Sequence, residues 1–263
     1  MARANRHYIP GYIWHITHRC HRREFLLKFL KDRARWLQWL VEARKRYGLV
    51  VLNYTVTSNH IHLLVLDKAG EKVIPSSMQL VAGRTAQEYN ARKKRLGAYW
   101  QDRYHATAIE NGKHFRRCLV YIDLNMLRAG VVSHPCEWVF CGYNEIQHPR
   151  RKNKIIAYEQ LMQLLGFDRY DQMTAAYRGW IEDAIEQGAG DRQPQWSESI
   201  AVGNKKFIEG TIKKLGSRAA GRRVVQSEGQ FELKDPEISY NAHFGPKKAN
   251  IDHQNGYYWN VSQ

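Results

Sequence analysis

Leu49-Val50-Val51-Leu52-Asn53-Tyr54-Thr55-Val56-Thr57-Ser58-Asn59-His60-Ile61-His62-Leu63-Leu64-Val65-Leu66 is a pair of apolar, β-branched runs broken by a Ser-Asn turn. It reads as a β-hairpin, with strands over 49–57 and 60–66. Side chains alternate along a strand, so His60 and His62 project from one face. Upstream, residues 31–47 carry Trp36, Leu37, Leu40 and Val41 at helical spacing, and Gly48 follows as a C-terminal cap. Before that, Tyr12-Ile13-Trp14-His15-Ile16-Thr17 follows Pro10-Gly11 and reads as a strand. Downstream, a helix runs from Pro75 to Leu96 and ends in Arg92-Lys93-Lys94-Arg95. A fourth strand falls within 99–109, and a helix over 113–127 stops at Ala129-Gly130. The order is strand, helix, strand, strand, helix, strand, helix. It predicts an α+β domain with a ferredoxin-like antiparallel sheet and helices on one face.

This first domain spans 1–148. A helical C-terminal extension follows over 149–216, with helices at 158–165, 170–186 and 205–215. Residues 217–263 are polar, Gly-rich and weakly periodic, a composition compatible with partial disorder.

The chain has 263 residues, 41 Lys+Arg against 25 Asp+Glu, and a net charge of +16. The excess is uneven: residues 1–145 hold 24 basic against 11 acidic residues, a net +13. That balance points to a polyanion, most often nucleic acid, as partner. No apolar run reaches membrane-span length and the first ten residues lack a signal-peptide core, so a soluble, cytoplasmic, nucleoid-associated protein is expected. Cys20, Cys118, Cys136 and Cys141 show no Cys-x-x-Cys spacing, which argues against a zinc knuckle or redox motif. His15, His18, Cys20 and His21 cluster, but match no standard ligand spacing.

On the helix over 113–127, Phe115, Leu119, Ile122 and Met126 form one stripe. Arg117, Tyr121, Asn125 and Arg128 form another, about 135° away. The first stripe suits burial. The second presents a hydroxyl, an amide and two guanidiniums, a set that suits a phosphate. His60 and His62 can reach one divalent ion, and the Asn125 amide oxygen is a fitting third ligand. Imidazole favours zinc-like metals, whereas oxygen ligands and phosphate favour magnesium or manganese.

Five blocks in order carry a resemblance: Met1-Ala2-Arg3, Pro10 to Arg19, Asn59-His60-Ile61-His62-Leu63-Leu64-Val65, Tyr99-Trp100-Gln101-Asp102-Arg103-Tyr104, and Tyr121-Ile122-Asp123-Leu124-Asn125 through Val132. Over roughly 1–148 the chain resembles the single-tyrosine HUH transposases, and among them the REP-associated tyrosine transposases. Ala201-Val202-Gly203 and Phe207-Ile208-Glu209 resemble the C-terminal region of some members. Two departures stand out. Asn125-Met126-Leu127 replaces the family's usual Asn-Pro-Val, and Thr57-Ser58 replaces a common Met-Pro. Neither removes a candidate ligand or the tyrosine.

The resemblance implies metal-assisted cleavage of single-stranded DNA at a hairpin, through a 5′-phosphotyrosine on Tyr121. His60, His62 and Asn125 would hold the ion, Mg2+ or Mn2+, and strand rejoining would need no nucleotide. Candidate DNA contacts are Arg3, Arg6, Arg19, Arg22, Arg23, Arg92, Lys93, Lys94, Arg95, Arg117 and Arg128. Tyr8, Trp14 and Trp100 are candidate stacking residues, with a core role as the alternative for both tryptophans. The protein is expected as a monomer or homodimer. Three other readings stay open: a domesticated transposase that binds DNA without cutting it, a replication or plasmid-transfer HUH nuclease, and an RNA-binding ferredoxin-like protein.

Overall fold

The computed structural model describes residues 9–68, 72–188, 192–227 and 229–236. Arg3, Arg6 and Tyr8 lie outside the described residues, as does the end of the chain from 237.

The strands β1 (Ile13–Arg19), β2 (Val50–Val56), β3 (His60–Leu66) and β4 (His105–Ile109) alternate with the helices α1 (Leu30–Tyr47) and α2 (Val73–Lys93). Gly48 closes α1 at φ 71°, a left-handed conformation that glycine adopts without steric cost. The four strands lie in the order β2-β3-β1-β4, all antiparallel. That is the ferredoxin-like arrangement the hairpin predicts.

The expectation of helices on one face describes α1 and α2, which pack on each other. Trp100 joins them to the sheet: its indole N–H donates to the Ala82 carbonyl of α2 while its ring stacks on His18 of β1. The next helix, α3 (Lys113–Asp123), covers the opposite face. There Asn53 donates to the Leu119 carbonyl at 3.4 Å and to Asp123 at 3.1 Å, and Thr55 donates to the Ile122 carbonyl at 3.0 Å. Both faces are therefore covered, which is why β2 and β3 are almost wholly buried along their length. Phe115, Leu119, Ile122 and Met126 are buried, as their stripe predicts. A short turn of helix, α4 (Asn125–Arg128), continues α3 after Leu124.

The helices α5 (Gly142–Gln147), α6 (Tyr158–Leu165) and α7 (Tyr170–Glu186) follow, then the single turn α8 (Gln195–Glu198) and α9 (Lys205–Leu215). The extension is not purely helical. Strand β5 (Ala201–Gly203) pairs parallel to β4, and the hairpin β6 (Arg223–Ser227) and β7 (Gln230–Lys234) continues the sheet to seven strands. Arg223–Ser227 and Gln230–Lys234, read from sequence as part of a polar tail, are thus strands. Their burying residues, Phe231 and Leu233, are too few to register over such a short span. One sheet crosses the expected boundary at 148.

Asn53 ties the two halves together a second time. Asp123 receives its amide N–H and, at 2.5 Å, the hydroxyl of Tyr177 on α7. Burial raises the Asp123 carboxyl to about 7, against the hydrogen bonds of Tyr177 and Asn53, which pull it down. Gly142 is what lets α5 approach this knot. A Cβ there would stand 2.0 Å from Asn53 Oδ1 and 3.1 Å from the Tyr54 nitrogen. Gly142→Ala is expected to cost about 1–3 kcal/mol, the usual range for overpacking a rigid site, read as a lower urea midpoint with unchanged slope.

Candidate active site

Strand register sets the site. Thr17 and Thr55 both lie opposite His62, and Arg19 lies opposite His60. His15, Thr17, Arg19, His60 and His62 therefore share the face on which α3 lies. The hairpin turn is fixed by Thr57, whose hydroxyl accepts the backbone N–H of Asn59 and His60 and donates to the His60 carbonyl.

Hydrogen bonding decides the histidine tautomers. His15 Nδ1 lies 2.7 Å from the carbonyl oxygen of Trp196, which can only accept, so Nδ1 carries the proton. In a neutral ring His15 Nε2 then accepts, and its partner at 2.9 Å, His62 Nδ1, must donate. That leaves His62 Nε2 with a lone pair. Asn125 caps it, its amide nitrogen 2.9 Å away. His60 follows the same rule. Its Nδ1 faces Asn59 Oδ1 at 2.7 Å and the Thr57 hydroxyl at 2.9 Å, whose proton is already given to a carbonyl. His60 Nε2 is therefore also a lone pair, on a ring centred 5.0 Å from that of His62.

All three rings are held neutral. Burial pushes His15 and His60 down to about 3, and pushes His62 well below the usual imidazole range, with neighbouring charges adding to the shift.

Tyr121 meets these rings edge-on, 5.8 Å from His62 and 6.3 Å from His15 between centroids. It is buried, and burial raises its phenol above the usual value; the positive charges of Arg128 and Arg192 oppose that shift. The Arg128 guanidinium lies over its ring at 4.0 Å and donates to its carbonyl oxygen at 2.6 Å. Tyr121, both histidines of the hairpin and Asn125 line one cleft of about 560 Å³. Arg19, Arg23, Arg103, Arg128 and Arg192 line it, against Asp102 and Glu198.

The structure sorts the candidate DNA contacts. Arg19, Arg23 and Arg128 reach the cleft. Arg22 is exposed outside it, on a left-handed turn at φ 49°. Arg117 turns the other way: its guanidinium donates to Gln230 of β7, and it does not line the cleft. Arg92 pairs with Asp32 of α1, Arg95 with Glu24, and Lys93 lies over Phe29, so much of that basic run holds α1 to α2 and its surroundings. Lys94 caps α2 in the left-handed region. Trp14 and Trp100 take the core role. His18 lines the same cleft, where its ring stacks on Trp100 and hydrogen-bonds the Asp102 carbonyl.

Sequence reading missed Arg103, Arg192 and the Trp196 carbonyl. The last is 181 residues from His15; a backbone acceptor has no residue-type signature, so nothing in the sequence marks it.

Among the described residues no three His, Cys, Asp or Glu side chains form a metal cage. The third donor available is the amide of Asn125. Turning that amide over would put Oδ1 beside His62 Nε2, so two imidazole nitrogens and an amide oxygen make a donor set that fits a divalent ion accepting mixed nitrogen and oxygen ligands.

Residues 9–125 match the model of the family described as "Transposase IS200 like". The match covers less than half of the chain, and this segment is similar to that family. No curated protein matches the chain. Among solved structures, a REP-associated tyrosine transposase bound to a REP hairpin is similar at 22% identity and a TM-score of 0.47, over 55% of this chain and 84% of that one. A second, described as a transposase of Deinococcus radiodurans R1, is similar at 16% identity and a TM-score of 0.33, over 49% and 97%. The IS200-like segment holds every part of the histidine–tyrosine cluster except Trp196, Arg128 and Arg192, which come from beyond it.

Replacing His15 by Phe keeps ring volume and removes the acceptor that fixes His62. His15→Phe is expected to weaken Mn2+ binding on the order of 10- to 100-fold, as outer-shell losses do, measured by titration calorimetry. The buried neutral rings also set a pH dependence. A group whose folded pKa is depressed contributes stability that is complete above its unfolded value of 6.5 and is lost as pH falls toward about 3. The melting temperature is expected to drop as pH falls from 6.5 to 4, and to drop less in His15→Phe, by scanning calorimetry.

Proposed function

We propose that the protein is a single-tyrosine transposase of the REP-associated kind. It would cut and rejoin single-stranded DNA at hairpin ends through a 5′-phosphotyrosine on Tyr121. The observation that carries this reading is the meeting of the Tyr121 phenol, the two hairpin histidines and Asn125 in one cleft rimmed by arginines. A hairpin target rests on the sequence blocks shared with REP-associated members.

The cleft's cations would bring a phosphodiester to the phenol, with Arg19 and Arg128 nearest the histidine pair in charge terms. A divalent ion held by His60, His62 and Asn125 would polarise the scissile phosphate and offset its developing charge. The Tyr121 oxygen attacks phosphorus as the phenol loses its proton. The bond from phosphorus to the 3′-oxygen breaks, and that oxygen leaves as a hydroxyl after taking up a proton. The new phosphotyrosine ester keeps the energy of the broken linkage, so a 3′-hydroxyl attacking it rejoins the strand without a nucleotide. Because burial holds the phenol protonated at neutral pH, the positive charge of Arg128 over its ring is the chain's own means of favouring the phenolate.

The test is covalent capture. Single-stranded hairpins from the flanks of the protein's own gene, with Mg2+ or Mn2+, are expected to give a protein–DNA adduct on a denaturing gel. Tyr121→Phe and His60→Ala should abolish it. Tight hairpin binding with no adduct, in either metal and on either strand, would reject cleavage and leave a DNA-binding regulator.

A further inference from the structure

A second hollow, of about 470 Å³, opens on the other side of Tyr121. Its floor is α3 and its far wall is α7. Lys113, Arg116 and Arg117 line it from α3, and Trp180, Gln187 and Gln193 from the extension. Tyr121 and Arg128 border both this groove and the catalytic cleft. Asp183 is its one carboxylate against four cations.

Two features separate this groove from an ordinary solvated basic face. First, among the described residues no carboxylate forms an ion pair with Lys113, Arg116 or Arg117; Arg117 instead meets the neutral amide of Gln230. Second, the Arg116 guanidinium lies over the Trp180 ring at 5.2 Å, and Trp180 is only partly buried. A flat guanidinium on an indole is a surface on which a nucleobase can stack, with phosphate-binding cations beside it. Gln187 and Gln193 add amides that can meet base edges.

Position supplies the rest. A strand whose phosphate sits at Tyr121 continues away from it in two directions: through its 3′-oxygen, which leaves opposite the attacking phenol, and through its 5′-oxygen, which stays on phosphorus. One direction runs into the arginine-rimmed cleft. The groove opens directly from the other flank of the same tyrosine.

We propose that this groove is a single-stranded nucleotide site. It seats a nucleotide adjoining the scissile phosphate, its base on the Arg116–Trp180 stack and its phosphate beside Lys113 and Arg117. The site rests on the reading of Tyr121 as nucleophile for its role, but binding there requires no chemistry. Its specificity is for unpaired strand, since a base within a duplex cannot lie on the stack.

The experiment uses full-length Tyr121→Phe protein in EDTA, so that neither metal nor cleavage is involved. The probe is a 12-nucleotide oligothymidylate carrying 5-iododeoxyuridine, irradiated and mapped by mass spectrometry. The expected cross-link falls on the α7 peptide containing Trp180. In binding by fluorescence anisotropy, Trp180→Leu is expected to lose on the order of tenfold, as single stacking positions do. Lys113→Glu, an exposed change that leaves the fold intact, should weaken binding and flatten its salt dependence. Cross-links confined to the arginine-rimmed cleft, or affinity unchanged in Lys113→Glu and in folded Trp180→Leu, would overturn the proposal. Absence of any binding would do so too. The two readings fail separately: a Trp180 cross-link from a protein that forms no adduct rejects the nucleophile and keeps the groove, and an adduct without that cross-link does the reverse.

Discussion

Buried imidazoles need partners, and the site is organised by how His62 finds its own. The relay runs from the Trp196 carbonyl through His15 to His62 and out to Asn125. Every member is positioned by a different element: a turn in the extension, β1, β3 and α4. Remove the carbonyl and the proton on His15 is no longer assigned. The donor from His62 then has no fixed acceptor, and the lone pair facing the cleft is no longer guaranteed. The requirement that these nitrogens be satisfied links strand register, helix placement and the extension in one constraint.

The tyrosine is held by a second set of bonds that do not touch it. Asn53, Asp123 and Tyr177 lock the end of α3 to β2 and to α7, and Thr55 fixes the carbonyl of Ile122. Tyr121 precedes Ile122 and Asp123, so the backbone that carries the phenol is restrained on the sheet side by residues next to it. A raised carboxyl at Asp123 follows from that placement, since the group sits between helix and sheet without a cation. The arrangement trades the cost of one buried acid for a fixed approach of α3 to the histidine pair.

Much of this was legible from residue order. The hairpin pattern gives β2 and β3, the alternation puts His60 and His62 on one side, and the stripe Phe115, Leu119, Ile122, Met126 correctly marks the buried face of α3. The same helical geometry placed Tyr121, Asn125 and Arg128 together. Arg117 belongs to that stripe too, yet it sits one turn earlier and is drawn to Gln230, because the extension covers that part of the helix. Helices on the second face, a three-residue β5 and the β6–β7 hairpin escaped notice for a shared reason. Each is decided by long-range pairing, and short strands carry almost no periodic signal of their own. The partners of the basic run at the end of α2 were illegible for another reason: charge count alone does not show that Arg92 pairs with Asp32.

The parallel pairing of β5 with β4, and the 181 residues between His15 and the carbonyl that orients it, bear on how the protein is made. Chains emerge from the ribosome N-terminus first and fold as they appear. The ferredoxin-like sheet, its hairpin and the tyrosine helix are all complete by residue 128, long before Trp196 has been synthesised. A nascent chain therefore carries the cluster in an unfinished state, with β4 an open edge and His15 untethered. The histidine relay and the β4 edge are completed only once residues 196–203 have emerged, so the fold itself sets a delay between synthesis of the cluster and its final hydrogen bonding.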